Sequence, residues 1–104
     1  EICACLVGSE MCIRDRFYYK HSVEGQKLAQ CIQDSMREGL DETNDRKIKP
    51  NDSYYMLIHT PCPTVIVECG FITNYDEAAL LVTEEYQKNV ADAIAAGIMS
   101  YKRE

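Results

Sequence analysis

The chain has 104 residues, enough for one small domain with a single core. Its 11 lysines and arginines against 17 acidic residues leave a net charge of −6 and a pI near 4.9, with no basic stripe to neutralise phosphates, which argues against nucleic-acid binding. No apolar run approaches the ~20 residues of a transmembrane helix, and no charged-then-apolar leader segment occurs within the sequence.

In chain order, the six cysteines Cys3, Cys5, Cys12, Cys31, Cys62 and Cys69 come first, three of them before residue 13. Cys3-x-Cys5 is too tight for the two-residue spacing of zinc knuckles. Cys62 and Cys69 flank one strand, too far apart for a disulfide unless the chain turns back. Cys31 and Cys69 therefore read as free thiols that behave as small hydrophobes. Ser22 to about Leu40 reads as an amphipathic helix, with Leu28, Ala29, Ile32, Met36 and Leu40 at three- and four-residue intervals. Ser22 is its N-cap, Glu24 suits its first turn, and Gly39 lies near its end. Lys27, Gln30, Gln33, Asp34 and Arg37 form its solvated face. Asp41 to Asp52 is a polar connection that carries Arg46, Lys47 and Lys49.

Tyr54 to Ile58 reads as a strand, broken by Pro61 and Pro63, which cannot donate to a ladder. Thr64 to Val67 are β-branched without a break, which suits a strand packed on both faces. Glu68 follows, and Gly70 ends the strand. Tyr75 to Leu81 reads as a short helix, capped by Thr73 or Asn74. Thr83 caps the last helix, whose apolar stripe is Tyr86, Val90, Ile94, Gly97, Ile98 and Tyr101. Ala91, Ala93, Ala95 and Ala96 let that helix sit close to a sheet.

Glu68 is the residue that stands out. A carboxylate at the carboxyl end of a buried strand is costly unless it is paired, metal-bound or catalytic. Ligands of open α/β sheets bind outside those strand ends. The bland alternative is a Glu that caps the next helix or pairs with Arg46. Of the two histidines, His59 reads as packed and hydrogen-bonded at a strand end, and His21 as exposed.

The segment "PTVIVECGFITNYDEAALL" resembles the C-terminal signature of zinc-dependent N-acetylmuramoyl-L-alanine amidases of the Amidase_3 type. "FYYKHSVEGQKLAQCIQDSM", "NDRKIKPNDSYYMLIHTPCP" and "EEYQKNVADAIAAGIMSY" resemble the segments around it, so the likeness runs from about Phe17 to Tyr101. It is strongest to the sporulation-type subgroup of Gram-positive bacteria. The resemblance implies an α/β fold, a partial mixed sheet flanked by helices, as the C-terminal part of a phosphorylase/hydrolase-like domain. It implies hydrolysis of the amide between N-acetylmuramic acid and L-alanine of peptidoglycan, at the cell wall. Glu68 would be the general base and then the general acid beside a zinc ion, and Arg46 would touch a carboxylate or lactyl-peptide oxygen of the substrate.

The family's His-Glu-His zinc ligands precede all these segments, and their motifs do not occur here. Zinc is therefore expected in a full-length parent and not in this fragment. The alternative is a non-catalytic wall-binding module that keeps the substrate cleft. Val7 to Arg16 resembles a translated sequencing adapter, so residues 1–16 are expected to be a non-native leader that does not pack with the domain at 17–104.

Overall fold

The computed structural model describes residues 3–9, 16–39, 47–71 and 84–104, and their side chains over 16–39, 47–67 and 84–104. The elements are β1 (Cys3–Ser9), β2 (Arg16–Tyr19), α1 (Val23–Gly39), β3 (Lys49–Asn51), α2 (Tyr55–His59), β4 (Thr64–Phe71) and α3 (Glu84–Arg103). The four strands form one mixed sheet in the order β1-β4-β2-β3. β1 runs parallel to β4, β4 antiparallel to β2, and β2 parallel to β3. The expected α/β fold with a partial mixed sheet is what is seen.

Period-two alternation sorts the core. Val65, Val67 and Tyr18 join Leu28, Ala29, Ile32 and Met36 of α1 and Val90, Ala93 and Ile94 of α3. On the opposite sheet face, Phe17 and Ile66 pack with Leu57 of α2. Thr64 to Val67 are all buried, so the β-branched run is packed on both faces as its composition demands.

Helix α1 begins where its cap dictates. The Gly25 N–H donates to Ser22 Oγ at 2.9 Å, which satisfies one donor of the first turn. Gln33, expected on the solvated face, is instead buried at 3 % exposure. The solvated face is seen at Gln30 and Asp34, joined by a 2.8 Å hydrogen bond.

Helix α3 packs chiefly along α1. The two backbones nearly touch at Gly97, where an added Cβ would lie 2.6 Å from Ile32 Cα. Ser35 Oγ donates across the same seam to the Ala93 carbonyl at 2.5 Å. The expectation that an alanine face brings α3 against the sheet is thus corrected. Ala91, Ala95 and Ala96 are exposed, and the close approach is to α1 through Gly97 and Ala93.

Two further expectations change. Tyr54 to Ile58 is not a strand, because turn chemistry overrides the β-propensity of its tyrosines. Asn51 Oδ1 accepts the backbone N–H groups of Ser53 and Tyr54, each at 2.9 Å, and the Tyr54 carbonyl then accepts from Leu57 and Ile58 at 3.0 and 3.1 Å. The resulting turn of helix buries Leu57 alone. Within the polar connection, Lys49–Asn51 forms β3, with Pro50 tolerated on an edge strand. At the amino-terminal side, where a non-native leader over residues 1–16 is expected, the backbone of Cys3–Ser9 pairs with β4, and Arg16 is 1 % exposed within β2.

Cys31 and Cys62 are half-buried free thiols. Desolvation, with Glu104 nearby, raises the pKa of Cys31. The helix expected at Tyr75 to Leu81 and the Thr83 cap lie outside the described residues, and so do Leu40 and Arg46. Among the described residues no helix is long and apolar enough to cross a membrane.

Candidate active site

The site is built on β4. Pro61 and Pro63 end the preceding segment, and Thr64 Oγ1 donates to the Cys62 carbonyl at 2.8 Å, which sets the strand's start. From there the strand is fixed by burial. Val65 and Val67 are 0 % exposed beneath the helices, and each buried valine is worth about 1.5–3 kcal/mol. The strand leading up to Glu68 is therefore held by packing.

Glu68 lies on this held strand. Its backbone pairs with Val7 of β1. Antiparallel pairing with β2 runs Tyr18↔Val65, Phe17↔Ile66 and Arg16↔Val67, so Glu68 is one residue past the last described pair. The register then shifts. Val7↔Glu68 is followed by Ser9↔Phe71, two steps along β1 against three along β4. The extra residue falls at Cys69-Gly70. Such shifts concentrate beside active sites and re-aim the residues next to them, and a glycine accommodates one cheaply. Gly70 therefore does not end the strand, as the sequence suggested. β4 continues to Phe71 and spends the glycine on a change of register.

Arg16 is the neighbour that sequence reading passed over. It pairs with Val67 and is buried, with Nη2 donating to Met36 Sδ at 2.9 Å. Its position directly before the Phe17-Tyr18-Tyr19 strand was the available signal, set aside because Arg16 belonged to the suspect leader.

The other chemistry-bearing groups sit elsewhere. His21 is exposed in the β2–α1 turn, its ring edge-on to Tyr19 at 5.2 Å. His59 is not packed at a strand end. It closes α2, exposed, with its ring 4.1 Å from that of Tyr55. Lys20 Nζ and Asp52 make a 2.8 Å ion pair at the far end of β2, which raises the Lys20 pKa and lowers that of Asp52.

Zinc demands three protein ligands that converge on one open position. Among the described residues no three His, Cys, Asp or Glu side chains come together for a metal, and the two described imidazoles are each turned onto a tyrosine ring. These residues do not fit a zinc site.

Comparison with known proteins supplies the context. The Amidase_3 family, N-acetylmuramoyl-L-alanine amidase, matches residues 8–100. The chain is 41% identical over 87 residues to the uncharacterized protein YqiI of Bacillus subtilis, covering 81% of this chain and 41% of that protein. It is 39% identical over 85 residues to the germination-specific N-acetylmuramoyl-L-alanine amidase of the same organism, covering 82% of this chain and 35% of the relative. The CwlD amidase of Clostridioides difficile, solved in complex with the GerS lipoprotein, superposes with a TM-score of 0.92 at 33% identity, over 98% of this chain and 54% of CwlD. The chain thus spans about half the length, or less, of these relatives. A family match over nearly all its residues, on the strand that carries Glu68, shows that the chain belongs to the Amidase_3 family of N-acetylmuramoyl-L-alanine amidases.

Proposed function

We infer that the full-length protein hydrolyses the amide between N-acetylmuramic acid and the first L-alanine of the peptidoglycan stem peptide. The observation that carries this reading is the family match over residues 8–100, which spans the strand bearing Glu68. A carboxylate on a packed strand, at a register shift that re-aims the chain, is suited to proton transfer at a fixed point. In this reading Glu68 takes a proton from the attacking water and returns it to the leaving L-alanine nitrogen. Arg46 is proposed to hold a substrate oxygen. Zinc belongs to the full-length parent, on ligands outside this chain. The site of action is the cell wall, and the likeness to a germination-specific amidase favours a role in spore formation or germination.

Dye release from labelled peptidoglycan by the full-length protein tests the reading. Glu68→Gln should keep the fold and lower turnover by ~10²–10⁴-fold, the usual worth of a general acid–base group. A variant that keeps more than about a tenth of normal turnover would leave Glu68 with no role in proton transfer.

A further inference from the structure

We draw no further inference here: the strongest candidate, the exposed apolar face of α2 at Tyr55 and Met56 together with the cleft at the amino end of β4 that Val23, Leu57 and Pro61 line, carries nothing, because nothing in the structure shows what covers it.

Discussion

Single side chains divide into those that carry charge at the surface and those that carry the strand. Lys20 and Asp52 are of the first kind. The hydrogen bond and charge of Lys20 lower the Asp52 pKa below its ordinary value of 3.8. For a depressed carboxylate the sign is fixed: any stabilisation is present above the unfolded pKa and is lost as pH falls through the folded one. Both groups are fully exposed, so the effect on stability is small and fades with salt. NMR titration should show Asp52 below its ordinary value, and Lys20→Ala should bring it back up; an unchanged midpoint in the variant would show that another group holds it down. Ile32 is of the second kind, with 0 % exposure at the centre of the α1 face. Ile32→Ala should cost about 2–5 kcal/mol, read as a lower midpoint in urea.

At the scale of elements, the seam between α1 and α3 is the tightest constraint. Gly97→Ala would put a methyl group 2.6 Å from Ile32 Cα, against backbone that cannot rotate away. Alanine gains up to ~1 kcal/mol over glycine in a helix interior, whereas overpacking costs typically 1–3 kcal/mol and more against backbone. The clash should win, and thermal melting should fall by several degrees. Ala96→Ser, one residue away and exposed, should melt as the parent does. The long helices were legible in the sequence because their apolar residues recur over four or more turns, as at Leu28, Ile32 and Met36. β4 was legible because four β-branched residues admit little else. Tyr54 to Ile58 was misread because five apolar residues carry no period, and the deciding signal was the Asn51 side chain three residues upstream of Tyr54. β3 was hidden by its proline and its three-residue length.

For the whole molecule, the question is which parts of the chemistry this chain holds. The strand that carries Glu68 was readable because four β-branched residues precede the carboxylate. The register shift behind it was not, because it exists only in the pairing of β4 with β1. The pairing of Cys3–Ser9 with β4 was not legible either, because it too exists only in the register between strands distant in sequence. The described histidines rest on tyrosine rings, and no three metal-binding side chains converge among the described residues. The chain by itself should therefore release no dye from labelled peptidoglycan and should lose added zinc on dialysis. Metal analysis after dialysis against buffer free of chelator measures the second point. Zinc retained at one equivalent, and lost on His59→Ala or Glu68→Gln, would mean that this half of the domain carries its own metal site. The proposed function instead has the metal held by residues outside this chain, with Glu68 as the base beside it. In that case a full-length protein with Glu68→Gln should retain zinc at one equivalent while its turnover falls. Loss of both together would place Glu68 among the ligands rather than beside them.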